Sequence, residues 1–142
     1  MRFFGKARFN DNVSFRGWGG GLENTGGTLI FTGAAQFNRN MAEVGGGLAV
    51  SGGEVIFKKA VKFDSNGADE NGGAFSVTVE PEYGTADTPG SLTFRKSGAV
   101  SYTGNYIDAS TTPVTGCSLA YVEEGTTLTG FDVDDVCVEV TV

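Results

Sequence analysis

The phrase Phe-x-x-Asn, followed by a glycine cluster and an apolar run, returns along this chain at nearly constant spacing. It stands at Phe9/Asn12, Phe37/Asn40 and Phe63/Asn66, and again with tyrosine at Tyr102/Asn105. The clusters Gly19-Gly20-Gly21-Leu22, Gly45-Gly46-Gly47-Leu48 and Gly72-Gly73-Ala74-Phe75 follow the first three. Leu22 to Leu48 is 26 residues, Leu48 to Phe75 is 27, and Phe31 to Phe57 is again 26. A period in this range marks one supersecondary unit stacked on copies of itself, since a single unit cannot bury its apolar face alone.

The clearest unit begins with Leu48-Ala49-Val50, turns at Ser51-Gly52-Gly53 and runs on as Glu54-Val55-Ile56-Phe57. Lys58-Lys59 makes a polar corner, Ala60 to Phe63 is a third run, and Asp64 to Asn71 reads as a polar loop leading to the next glycine pair. Three short strands and three turns in this length describe one turn of a parallel β-helix, whose coils lie about 4.8 Å apart. Thr28 to Phe31 repeats Glu54 to Phe57 one coil earlier. The next coil carries an insert, Glu80 to Gly90, and such insertions map to surface loops on one side. The expectation is a single all-β domain over 1–142, with about four to five coils. Regular coils cover 3–105, and a degenerate coil or cap covers 106–142. The 23 glycines agree with this, because with only 3 prolines they are turn glycines and not a linker.

Stacked coils set equivalent side chains above one another. Phe9, Phe37, Phe63 and Tyr102 are therefore expected to form an inward aromatic ladder. Asn12, Asn40, Asn66 and Asn105 are expected to bond turn amides and to take the left-handed backbone that asparagine tolerates. The final alternating run, Val136 to Val142, is expected to be a strand on the last coil. Cys117 and Cys137 lie near it, and two readings stay open: one disulfide, or two buried thiols.

Phe37-Asn38-Arg39-Asn40, Phe63-Asp64-Ser65-Asn66 and Gly72-Gly73-Ala74-Phe75 resemble the repeats of chlamydial polymorphic outer membrane proteins and related right-handed, pectin-lyase-like β-helices. The resemblance covers roughly residues 3–105 and implies a right-handed parallel β-helix. It also implies surface-exposed passenger domains used in adhesion. For the pectin-lyase-like enzymes it implies action on acidic polysaccharides through carboxylates or bound Ca²⁺. Gly-Gly-Gly-Leu replaces the commoner glycine phrase twice in this chain.

With no histidine, Ser-His-Asp and Cys-His arrangements and histidine-ligated metals are excluded. No phosphate-loop motif is present, and a net charge of −7 argues against nucleic acid. Asp64, Asp69 and Glu70 are weak Ca²⁺ candidates in one loop, without the closing glutamate of an EF-hand. Asp132, Asp134 and Asp135 form a second acidic group. No apolar run is long enough to span a bilayer as a helix, and Met1 to Lys6 has no secretion-type apolar core. No cofactor is expected. A bridged cysteine pair would place the chain outside the cell, on its surface or in an oxidising lumen.

The charge is divided. Residues 1–62 carry eight Lys or Arg against four acids, +4, while residues 63–142 carry two against thirteen, −11. In a solenoid, sequence order is axial order, so one end is basic and the other acidic. The first coil, around Phe3-Phe4 and Arg8-Phe9, has no earlier coil to pair with. The expectation is a non-catalytic scaffold, adhesion or accessory module that docks through Phe3, Phe4 and Arg8 onto an acidic protein partner or a preceding coil of a longer chain, with Tyr83 of the insert as a second contact. The alternative is a polysaccharide-binding or polysaccharide-active protein.

Overall fold

The computed structural model describes residues 1–79, 89–95, 100–107 and 119–131, and the backbone of 136–139. Every strand pairing among them is parallel, and no helix occurs. The chain visits three sheets in turn and returns. It begins with β1 (Arg2–Phe3) and β2 (Ala7–Asn10), then β3 (Leu22–Phe31), β4 (Ala35–Asn38) and β5 (Met41–Val44). Next come β6 (Leu48–Phe57), β7 (Val61–Asp64) and β8 (Gly67–Asn71), followed by β9 (Phe75–Val77), β10 (Ser91–Phe94), β11 (Val100–Thr103) and β12 (Tyr106–Ile107). The last strands are β13 (Ala120–Glu123), β14 (Thr127–Thr129) and β15 (Val136–Glu139).

The first sheet has the order β1-β3-β6-β9-β13-β15, with β10 beside β6 and β14 beside β10; the others run β11-β7-β4-β2 and β12-β8-β5. Each strand thus pairs with its equivalent from the next pass of the chain, an arrangement compatible with a β-solenoid. Alternation dictates which side chains go in. Along β7, Val61 and Phe63 are buried while Lys62 and Asp64 are half-exposed, and β4 repeats the pattern. Parallel strands then carry the inward rings into register, Phe9 with Phe37, Phe37 with Phe63, and Phe63 with Tyr102.

Two phenylalanine columns result, and only the Phe-x-x-Asn column was anticipated as a ladder. Phe9, Phe37 and Phe63 stack at 4.8 and 5.0 Å. Phe3, Phe31, Phe57 and Phe94 stack at 4.6, 4.7 and 5.5 Å on the opposite sheet. These separations match the rise between strands, so the sheets themselves impose stacking. The columns touch edge to face, with Phe37 at 6.1 Å and 89° from Phe57. Each such pair adds about 0.5–1.5 kcal/mol beyond its buried area.

Three expectations need correction. The segment Asp64 to Asn71 is not a loop, because it ends β7 and forms β8 in the third sheet. Conversely, Ser51-Gly52-Gly53 does not separate two strands; β6 runs through it and bends at Gly53, whose φ is 68°. The left-handed backbone falls on the residue before each ladder asparagine: Asp11 (φ 56°), Arg39 (52°), Ser65 (55°) and Gly104 (64°). The reason lies in the asparagines themselves. Their backbone amides bond the neighbouring column, so the sharp turn must be made one residue earlier.

The glycine clusters fill corners where adjacent passes touch. A Cβ on Gly46 would collide with the carbonyl oxygens of Gly67 and Gly73, so no other residue fits there. The insert at 80–88, with Tyr83, lies outside the described residues, as do Cys117 and Asp132, Asp134 and Asp135; of Cys137 only the β15 backbone is described. The neck of the insert is pinned. Gly90 donates to the Thr78 carbonyl at 3.0 Å, and the Val79 amide donates to Glu123 Oε2 at 2.7 Å.

Candidate interaction site at the basic end

The asparagine column is the polar spine that carries order to this end. Asn40 is 1 % exposed and Asn66 is fully buried, so every polar atom must find a partner. The Oδ1 of Asn66 accepts from the backbone amide and the Nδ2 of Asn40, both at 3.0 Å. Its Nδ2 donates to Asn105 Oδ1 at 3.0 Å and to the Phe37 carbonyl at 2.9 Å. Asn40 repeats the arrangement, accepting from Asn12 Nδ2 at 2.8 Å and donating to the Phe9 carbonyl at 2.7 Å. The asparagine-to-asparagine bonds all donate toward the following pass, while each Nδ2 also donates back to a phenylalanine carbonyl of the preceding one. At the first pass the series stops: Asn12 is exposed, and among the described residues no asparagine donates to its Oδ1.

The aromatic columns stop at the same place. Phe3 lies flat on Phe31 and Phe9 on Phe37, each with a ring on one side only. Both are half-buried, whereas Phe31, Phe37 and Phe63 are fully buried. Phe3 to Phe9 line a shallow groove of about 280 Å³. On the same first pass Met1 and Phe4 are each 78 % exposed, Val13 is 51 % and Phe15 is 89 %. Isolated apolar residues on a surface are ordinary, but a cluster beside an open apolar groove marks a contact surface.

The edges are open too. Ala7 and Asp11 donate their amides to the Ala34 and Asn38 carbonyls, so β2 is paired on that side. The alternation of a parallel ladder turns the amides of Arg8 and Asn10 the other way, where no described strand lies. Likewise Met1 and Phe3 accept from Ile30 and Thr32, leaving Arg2 on the free side of β1. Over residues 1–18 the charge is basic, with Arg2, Lys6, Arg8 and Arg16 against Asp11. Asp11 is already engaged: the Arg39 guanidinium bonds it at 2.6 and 2.7 Å and holds its carboxyl below the usual range. Arg8 lies beside Gln36, its Nε at 3.4 Å from Oε1.

The structure thus brings Phe3, Phe4 and Arg8 to one end, together with Met1, Val13 and Phe15, which the repeat pattern did not single out. The signal was present, since Val13 to Phe15 occupy the place where the next pass has the β5 strand. Tyr102 differs from its expected place. It is in register with Phe63, yet the residue is 40 % exposed and its ring lies 6.0 Å from that of Phe131.

The acidic candidates do not converge. Asp64 accepts from Lys62 Nζ and Ser65 Oγ at 2.8 Å each, which lowers its carboxyl below the usual range, and Asp69 and Glu70 are exposed on β8. Among the described residues no group of three or more His, Cys, Asp or Glu could hold a metal ion, and no helix is long and apolar enough to cross a membrane. Compared with family models, with curated proteins and with solved structures, the chain matches none.

Proposed function

We propose that the chain is a right-handed parallel β-solenoid of about four to five coils that serves as a non-catalytic interaction module, engaging a protein partner through its basic end. The observation that carries this reading is the coincidence, at one end, of free strand edges, exposed apolar side chains and positive charge. Open edges with apolar neighbours pair with something or aggregate. In the regular part of the stack, by contrast, the asparagine column has its side-chain amides spent on bonds between passes. That rigidity suits a spacer that holds a contact surface in place.

The test is a pair of measurements on the folded protein. Binding of the apolar dye bis-ANS should be clear for the wild type and lost in a Phe4→Ser, Phe15→Ser double variant. Polygalacturonate incubated with the protein should release no reducing ends. Dye binding unaffected by the two substitutions would remove the contact surface from this end. Release of reducing ends in proportion to protein would replace the module with the polysaccharide-active alternative.

A further inference from the structure

We infer that the surface at the basic end takes a second copy of this chain, stacked head to tail against the acidic end of the first. This rests on the reading of that end as a contact surface and names its occupant. Pairing direction supplies the first argument. All described strands are parallel, and the eight-stranded sheet has β1 at one edge and β15 at the other. A copy placed head to tail continues that ladder in the same direction. A copy placed head to head presents antiparallel edges that the registers of this stack nowhere use.

Charge supplies the second argument, independently of strand geometry. Residues 1–18 hold four cations and one acid, while residues 119–142 hold six acids and no cation. Head-to-head contact pairs two +3 segments; head-to-tail contact pairs the +3 segment with the −6 segment, of whose acids Glu123, Glu124 and the backbone of Glu139 are described. Attraction between such faces steers association and selects orientation. At the acidic end Glu124 is exposed and free of the role of Glu123, whose carboxylate is committed to the Val79 amide.

A head-to-tail contact is heterologous, so nothing in its symmetry limits it to two copies. Sedimentation velocity on the 142-residue chain should therefore show dimers and longer species that grow with concentration at about 20 mM salt. Association should weaken about tenfold or more at about 500 mM, where screening acts within a few ångströms. A Phe4→Glu, Arg8→Glu variant spoils one end, and a Glu124→Lys, Glu139→Lys variant spoils the other. Phe4, Arg8 and Glu124 are exposed, and circular dichroism would establish that both variants keep the strand content. Each alone should be monomeric, and their equimolar mixture should form a dimer that grows no further. A wild type that stays monomeric while still binding the dye would overturn the head-to-tail pairing and leave the contact surface standing. A dimer that persists unchanged in the Glu124→Lys, Glu139→Lys variant would mean two basic ends meeting, and would overturn it as well.

Discussion

The two ends of the stack finish differently. At the first, Phe3 and Phe9 each carry a stacked ring on one face and border an open groove on the other. Beyond the fourth pass, Phe131 lies over the core, edge-on to Phe75 at 5.2 Å and 5.7 Å from Phe94. It also reaches Tyr102, so one side chain closes both phenylalanine columns. β13 and β14 extend only the first sheet past this point. The lesson concerns solenoids in general: a repeat says how to add a coil but not how to stop. Stopping an aromatic column is done by a residue outside the repeat, here Phe131 at one end alone among the described residues, while β15 leaves the edge of the first sheet open beyond it.

The largest expected effect separates the middle from the open end. Phe63 is fully buried, 5.0 Å from Phe37 and 5.5 Å from Phe75. Phe63→Ala should cost about 3–5 kcal/mol in urea unfolding. Phe9→Ala at the open end should cost only about 1–2 kcal/mol, the scale of partial burial. Equal costs would mean that the first pass is as well covered as the third.

Glycine draws the same contrast. Gly46→Ala forces a methyl group into two carbonyls and should cost about 1–3 kcal/mol. Gly5, at the open end, has nothing within 4 Å of a built Cβ, and Gly5→Ala should be neutral or stabilise by about 0.4–1 kcal/mol. A Gly5→Ala variant with a lower thermal midpoint would show that the corner is more crowded than the structure gives it.

The asparagine column offers a finer test. Asn66→Ala removes an amide bonded on every side, and should cost about 1–3 kcal/mol through the orphaned Asn40 amide and Phe37 carbonyl. Asn12→Ala should cost less than about 1 kcal/mol, since its Oδ1 has no asparagine before it. Hydrogen exchange of the Asn40 amide should quicken in the first variant and hardly change in the second.

The smallest effect is that of acid. Arg39 lowers the Asp11 carboxyl and Lys62 lowers that of Asp64, so each contributes stability that is complete above the ordinary carboxylate value. That stability is lost as pH falls through the lowered value, below about pH 4. Both Asp11 and Arg39 are about 60 % exposed, at 60 % and 63 %, and water screens them. Asp11→Asn should leave the midpoint at neutral pH nearly unchanged and flatten the acid limb. A marked loss at neutral pH would mean that the open end depends on this ion pair.

Much of the stack was legible because its causes are local and repeated. The spacing of Phe37 and Asn40 from Phe63 and Asn66 is set by the length of one pass, so both columns of that phrase follow from counting. Phe31 and Phe57 were aligned by the same count. That they face the first column edge-on across a shared core depends on two sheets meeting, which no single strand encodes. β8 was hidden because Asp69, Glu70 and Asn71 read as polar loop. Its backbone is nonetheless held in a strand by β5 on one side and β12 on the other.

The candidate site was legible in outline and not in detail. Its charge and its position at the start of the stack come from the order of residues alone, since axial order follows sequence order. Phe15 and Val13 sit in line with β5 of the next pass, but that their side chains stay exposed is seen only in three dimensions. The sequence by itself determined the period, the parallel stacking and the phenylalanine and asparagine columns of the repeated phrase, because periodic burial in a parallel stack obliges equivalent residues to superimpose. The tertiary structure alone decided where the left-handed residue sits, which ring plugs the far end and which rings stay open. Those outcomes depend on contacts between passes and on residues that occur once, and a repeat carries information only about what recurs.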